Sequence, residues 1–319
     1  MGACCGAPPV CPKNKTYIAI SMQISKSSMG VRRGGDHSVR VAHCPAGARA
    51  SAAIMPFVSL RGANVHYLHH GCGGRPIVFL HGGFGSSSEL WELAMAGLPQ
   101  GWSGYAIDNF LRSDAPPEGY SVPALAARVA DFIDALGLDR PVVAGHSMGG
   151  VVAQLVGIRY PERVSGLVLV CTGPSMTSHA MARAWCEQLA EHGSAAMREI
   201  SANWFHTVPG TFFEDYVARA CAAPVPAMLA VQRSLIETDL RADLGRIGCP
   251  ALIVHGAHDQ GRTMTHMRAL LDGIRDSRLA VMPDSGHSPM VETPADFSLA
   301  LGDFLSGLDE RRLEACSTV

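Results

Sequence analysis

Residues Gly145-His146-Ser147-Met148-Gly149 have the spacing G-x-S-x-G, with an apolar run before them and a helical pattern after them. Glycines at both ends of such a stretch remove Cβ atoms that would collide in a tight strand-to-helix turn. The serine between them can then hold a strained backbone and project its hydroxyl. The helix that starts there points its first amides at the same spot, where they would stabilise a developing negative charge. The chemistry on offer is nucleophilic attack by Ser147. A serine used in this way needs a base to take its proton and a carboxylate to orient the base.

The chain carries 14 histidines, so position must choose the base among them. His287 lies in Asp284-Ser285-Gly286-His287-Ser288-Pro289, just past the last apolar strand pattern. Asp259 lies in Gly256-Ala257-His258-Asp259, just past the apolar run Ala251–His255. Both fall at carboxyl ends of strands, the edge where open α/β sheets build their sites. The chain order is Ser147, Asp259, His287. Asp284 is the rival acid, but its closeness to His287 in sequence suits it better to shaping the turn. His146 is a packing neighbour of the serine and a candidate substrate contact. His255 and His258 flank Asp259. Two histidines on one loop, with no CxxC pair in the chain, do not make a metal site, and neither metal nor cofactor is expected.

A second loop, His81-Gly82-Gly83-Phe84-Gly85, follows the apolar strand ending at Leu80. Its glycines leave backbone N–H groups unshielded. Together with the N–H of Met148 they form an expected oxyanion hole, with Gly83 as the preferred donor and Phe84 as the alternate. The lack of G-K-[ST] sets a phosphate-binding loop aside.

These groups must be held by regular elements. Phe57–Leu60 and Asn64–His69 read as a hairpin around Arg61-Gly62, with His66, His69 and His70 on a solvated face. Pro76–Leu80, Ser103–Ile107, Pro141–Ala144, Leu167–Cys171, Ala251–His255 and Leu279–Met282 read as strands. Val122–Leu136, stopped by Gly137, and Gly149–Tyr160 read as helices. Solid apolar strands alternating with helices predict a mostly parallel sheet covered on both faces. Between Pro174 and Ile247 the strand rhythm stops. This helix-like stretch holds Trp185, Trp204, Phe205, Phe212, Phe213 and Tyr216, and reads as an insertion. The organisation is therefore an extension (1–54), a first core part (55–173), a helical insertion (174–247), a second core part (248–308) and a tail (309–319).

The 319 residues are 47% hydrophobic and 17% charged, an ordinary globular balance. The net charge of −2 is uneven: residues 1–54 carry seven basic residues and one acid, and this +6 leaves −8 on the remainder. An acidic body excludes nucleic acid as the main partner, because phosphate contacts need Lys and Arg. No apolar run approaches the roughly 20 residues that span a bilayer. The 10 cysteines are scattered, without the pattern of a disulfide framework, and favour a reducing compartment such as the cytoplasm. Residues 1–54 read as poorly ordered, with translation starting at Met55 and an organellar transit peptide as competing explanations.

Four segments, IVFLHGGFGSS, VVAGHSMGGVVAQLVGIRYPERVSGLVLV, ALIVHGAHD and MPDSGHSPMVETP, occur in this order. With them the chain resembles the α/β-hydrolase superfamily over residues 57–308. The resemblance implies an eight-stranded, mostly parallel sheet with a helical cap at 174–247, and catalysis through an acyl-enzyme. One departure stands out: relatives carry a glycine-rich D-x-x-G-x-G-x-S loop where this chain has Asp108-Asn109-Phe110-Leu111-Arg112-Ser113-Asp114. The expected reaction is hydrolysis of small apolar or aromatic carboxylic esters or lactones, with Phe84, His146, Trp185 and Trp204 contacting substrate. The dispersed cap arginines Arg183, Arg198, Arg219 and Arg233 imply a preference for neutral substrates. A carbon–carbon bond hydrolase, a hydroxynitrile lyase or cofactor-free oxygenase, and a triad-retaining ligand receptor are the alternative activities.

Overall fold

The computed structural model describes residues 17–19, 56–176, 180–207 and 210–317, with the backbone alone for 17–19 and 313–317. The strands are β1 (Tyr17–Ala19), β2 (Phe57–Leu60), β3 (Ala63–His70), β4 (Arg75–Leu80), β5 (Trp102–Ile107), β6 (Val142–His146), β7 (Gly166–Val170), β8 (Ala251–Gly256) and β9 (Ser277–Met282). The helices are α1 (Glu92–Ala96), α2 (Val122–Ala135), α3 (Met148–Arg159), α4 (Ala180–His192), α5 (Met197–Ala202), α6 (Gly210–Ala222), α7 (Val225–Glu237), α8 (Met264–Gly273), α9 (Pro289–Glu292) and α10 (Pro294–Ser317).

The strands form one sheet in the order β1-β9-β8-β7-β6-β4-β5-β3-β2. The pairs β2–β3 and β3–β5 are antiparallel, and all the others are parallel. Every residue of β6, β7 and β8 is buried. Strands buried on both faces need a layer of helices on each side, which is why they read as unbroken apolar runs. On the periphery the pattern changes. The β2–β3 hairpin turns at Arg61 (φ 49°) and Gly62 (φ 85°), two positive φ angles in succession that suit a tight hairpin turn.

Helix α2 starts at Ser121, whose hydroxyl accepts the N–H of Ala124 at 3.2 Å. It gives way at Gly137, where φ is 61°. The stretch between β7 and β8 contains α4, α5, α6 and α7, the expected helical cap. The chain leaves and re-enters the core at one neck, where Ser175 bridges Asp239 and the N–H of Leu240 donates to Pro174 O at 2.8 Å.

Three expectations are corrected. The sheet gains a ninth strand, β1, which pairs in parallel with the edge strand β9. It lies in the extension, where no element was expected. Three residues are too few to show periodicity, although the Tyr-Ile-Ala composition suits an edge. The rest of residues 1–54, and Met55, lie outside the described residues. At the other end α10 runs to Ser317, through the stretch expected to be a tail. Its Asp309 and Arg311 pair with Arg75 and Asp276 of the core, which extends the helix past residue 308. His66 is buried rather than solvated, edge-on to Phe57 at 5.3 Å. Burial pushes its imidazole toward the neutral form. Among the described residues, no helix is long and apolar enough to cross a membrane.

Candidate active site

Ser147 sits between β6 and α3 with φ 53° and ψ −112°, a conformation that costs a non-glycine residue about 1–3 kcal/mol. Its neighbours leave no alternative. A Cβ on Gly145 would stand 2.1 Å from Gly149 O, and one on Gly149 would stand 2.3 Å from Leu80 O. The backbone is pinned as well: the Ser147 N–H donates to Val170 O at 2.9 Å, and its carbonyl accepts the Thr172 hydroxyl at 2.7 Å. The side chain is therefore presented at the carboxyl edge of the sheet, at the first turn of α3.

His287 and Asp259 come together as expected. The Nδ1 of His287 lies 2.9 Å from Asp259 Oδ2, and both residues are buried. The other carboxylate oxygen accepts the N–H groups of Gly261 at 2.7 Å and Arg262 at 2.9 Å. Burial alone would push the Asp259 carboxyl up. The charge of His287, their shared hydrogen bond and the Arg262 N–H outweigh it and hold Asp259 below the usual carboxylate range. Asp284 is exposed, so the rival acid points away from the site. Cys171, Asp259 and His287 bring ligand-type atoms within 4.8 Å of one another, a spacing that would suit a metal ion. The donor set does not fit one. Asp259 and His287 spend these atoms on each other, and burial pushes the Cys171 thiol well up, so it stays protonated.

The loop His81–Gly85 meets the start of α3. A Cβ on Gly83 would lie 3.2 Å from Met148 Cβ, so the two residues that carry the expected oxyanion donors are packed against each other. His81 holds this loop in place: its Nε2 accepts the Asn109 N–H at 2.8 Å and its Nδ1 donates to Gly82 O at 2.8 Å. The unusual 108–114 loop makes its own turn without glycine. Asp108 Oδ1 accepts the N–H groups of Phe110 at 3.1 Å and Leu111 at 2.9 Å, while Oδ2 pairs with Arg112.

A narrow cavity that opens to solvent is lined by Ser147 and His287 together with Phe84, Trp185 and Trp204. Phe84 stacks on Trp204 at 5.7 Å, and Trp204 stands edge-on to Trp185 at 4.7 Å and lies 5.3 Å from the His287 ring. Three of the four expected substrate contacts thus line the cavity. The fourth, His146, is corrected: it lies behind the site, with its Nε2–H donating to His287 O at 2.8 Å. Burial, helped by the adjacent His287, pushes its imidazole down to about 3, so it stays neutral and anchors the loop that carries His287.

The dispersed cap arginines are not the cation nearest the site. Arg262 lines the cavity from the β8–α8 loop, and Gln232 lines it from α7. Neither belongs to a motif. The only sequence signal for Arg262 is its place three residues beyond Asp259.

Glu292 was overlooked in the sequence and ties the site to the cap. Its Oε1 accepts the N–H groups of Gly286 at 3.0 Å and Ser288 at 3.1 Å, on either side of His287. Its Oε2 accepts the N–H groups of His206 at 2.6 Å and Thr207 at 3.1 Å, on the cap. Charge-assisted bonds of this kind are worth about 1.5–3 kcal/mol where they are shielded from water. Glu292→Ala is therefore expected to lower Tm by about 5 °C and kcat by about tenfold, because the loop carrying His287 loosens. Calorimetry and steady-state kinetics check this, and an unchanged kcat would show that the loop holds itself.

Comparison with known proteins adds a family. The alpha/beta hydrolase family model matches residues 77–300. The pimeloyl-[acyl-carrier protein] methyl ester esterase of Chromobacterium violaceum is 31% identical over 208 residues, covering 60% of this chain and 82% of that protein. A protein of Variovorax paradoxus (strain S110) named as a carbamate hydrolase is 28% identical, covering 76% of this chain and 96% of its own length. The enol-lactonase of Burkholderia xenovorans LB400 superposes with a TM-score of 0.73 at 21% identity, covering 79% of this chain and 100% of its own, a likeness of fold.

Proposed function

The chain belongs to the alpha/beta hydrolase family, and on that premise we propose that it hydrolyses small carboxylic esters or lactones through an acyl-enzyme. Ser147 is the nucleophile, His287 the general base and Asp259 the group that orients the base. The single observation that carries this reading is the cavity shared by Ser147 and a His287 whose Nδ1 is held by a buried, ionised Asp259. The hydrogen bond at Nδ1 puts the proton there and leaves Nε2 free to accept the serine proton. The serine oxygen attacks the ester carbonyl. The resulting oxyanion is met by the N–H of Met148, backed by the first turn of α3, and by the N–H of Gly83. Collapse expels the alcohol, which takes the proton back from His287. A water molecule then repeats the sequence on the acyl-enzyme and releases the acid. A lactone follows the same course, with the leaving hydroxyl still attached to the acyl chain.

The aromatic walls of Phe84, Trp185 and Trp204 suit the hydrocarbon part of such an acyl group. The methyl ester esterase relative supports ester hydrolysis as the reaction class. The test is turnover of a short p-nitrophenyl ester together with mass spectrometry after fluorophosphonate treatment. Expected are steady turnover and one covalent adduct, on Ser147. An adduct on another residue, or no turnover of any ester or lactone, would sink the reading.

A further inference from the structure

Arg262 is 4% exposed and lines the same cavity as Ser147 and His287. A guanidinium carries five N–H donors, and arginine is almost never so buried without an anionic partner. Here the side chain has one hydrogen bond, from Nη1 to Ser175 O at 3.3 Å, and no ion pair among the described residues. Asp259 is the nearest negative charge. Its oxygens, however, are committed to His287 Nδ1 and to the N–H groups of Gly261 and Arg262, so it attracts the guanidinium without bonding to it. Burial pulls the Arg262 pKa down to about 10, which still leaves the group cationic at neutral pH.

A second buried polar side chain lines the cavity. Gln232, on α7, is 2% exposed and has no side-chain hydrogen bond among the described residues. Its Nε2 lies 2.5 Å from where a Cβ on Gly83 would be, beside the proposed oxyanion loop. Apart from Ser147, His287 and Gly261, the remaining walls are apolar: Phe84, Met176, Ala182, Trp185, Trp204 and Leu235. A buried cation with one hydrogen bond and a buried amide with none among the described residues are expensive unless a ligand or water completes them.

We propose that the cavity accepts an acyl group ending in a carboxylate, which Arg262 binds, so that the preferred substrate is an ester or lactone of a short dicarboxylic acid. This rests on the ester or lactone reading above and names its substrate class. A planar carboxylate matches the guanidinium fork bidentately. A single arginine with no second cation among the cavity residues suits a monoanion better than a phosphate. The hydrocarbon between the two carbonyl groups lies against the aromatic walls. Gln232 donates to the carbonyl region near Gly83.

The experiment compares mono-p-nitrophenyl glutarate with its uncharged isostere, p-nitrophenyl 5-methylhexanoate. The enzyme is expected to favour the charged ester in kcat/KM. In Arg262→Met the charged-to-uncharged ratio should fall by about 10- to 100-fold, and in Arg262→Lys by less. Binding is measured separately by calorimetry of monomethyl glutarate on the Ser147→Ala protein, with and without Arg262→Met. Loss of that binding with Arg262→Met supports the proposal whatever the rate of hydrolysis. If neither ester is turned over but monomethyl glutarate binds through Arg262, the hydrolase reading fails and the carboxylate site stands. A ratio unmoved in both variants, no binding of monomethyl glutarate, or equally tight binding of phenyl phosphate would overturn the proposal. Arg262→Lys keeps the charge and serves as the folded control should Arg262→Met melt early.

Discussion

Ser147→Ala is expected to lower kcat for a p-nitrophenyl ester by about 10⁴- to 10⁶-fold while leaving Tm unchanged. The magnitude follows from what remains. The oxyanion donors and the cavity still bind and polarise the ester, which alone sustains about 10³- to 10⁴-fold over water. The attacking group, however, is then a water that nothing positions. Stability is preserved because the positive φ at residue 147 is imposed by Gly145, Gly149 and the Val170 carbonyl, not by the hydroxyl. Alanine sits in the same strained backbone as serine. The same substitution should abolish fluorophosphonate labelling. A variant retaining more than about a tenth of the activity would mean that another residue attacks.

The second large effect separates two carboxylates. Asp259→Asn is expected to cost about 10⁴-fold in kcat, and Asp284→Asn less than about threefold. An asparagine at 259 can present its amide N–H to His287 Nδ1. The imidazole would then carry its proton on Nε2, the atom that has to accept from Ser147. It would also lose the negative charge that stabilises the imidazolium as it forms. Asp284 stands exposed and does not touch the base. Parallel kinetics on the two variants decide, and the reverse ranking would overturn the assignment.

The parts of the site that could be read from sequence are those in which chemistry forces a local pattern. The turn at Ser147 needs glycine on both sides, because the Cβ positions are occupied by backbone oxygens. The β6, β7 and β8 strands are buried on both faces, so their composition announces them. Asp259 follows the buried β8 and His287 the apolar β9, which makes their placement an arithmetic of strand ends. Arg262 and Gln232 follow no rule of this kind. One comes from a core loop and the other from a cap helix, and they converge only after the cap folds over the sheet. A single polar residue on an amphipathic helix carries no mark of whether it faces water or a cavity. His146 failed for a related reason. Its position next to Ser147 is fixed by the motif, but its ring direction is set by the carbonyl of His287, a partner far along the chain. Neither β1 nor the end of α10 is long or periodic enough to announce itself; β1 is recognisable only by its partner β9, and the last turns of α10 by the ion pairs they make with the core.

Among the described residues the cap is joined to the core at several places, the Tyr216 hydroxyl to Phe84 O and the Val122 N–H to the Ser234 hydroxyl among them, and two others bracket the site. One is the neck at Pro174, Ser175, Asp239 and Leu240. The other is the loop around His287, whose own N–H donates to Trp204 O at 3.1 Å and whose flanking amides share Glu292 with His206 and Thr207. A body fastened at several points cannot swing like a door without breaking some of them, and here one fastening is the loop that seats His287. Opening wide would pull on the loop that carries His287. Passage in and out then depends on how far the side chains that line the cavity, the buried Met176 and Trp185 among them, give way, as in a tight gate. Such a gate admits slim molecules quickly and refuses bulky ones outright, whatever their affinity for the interior.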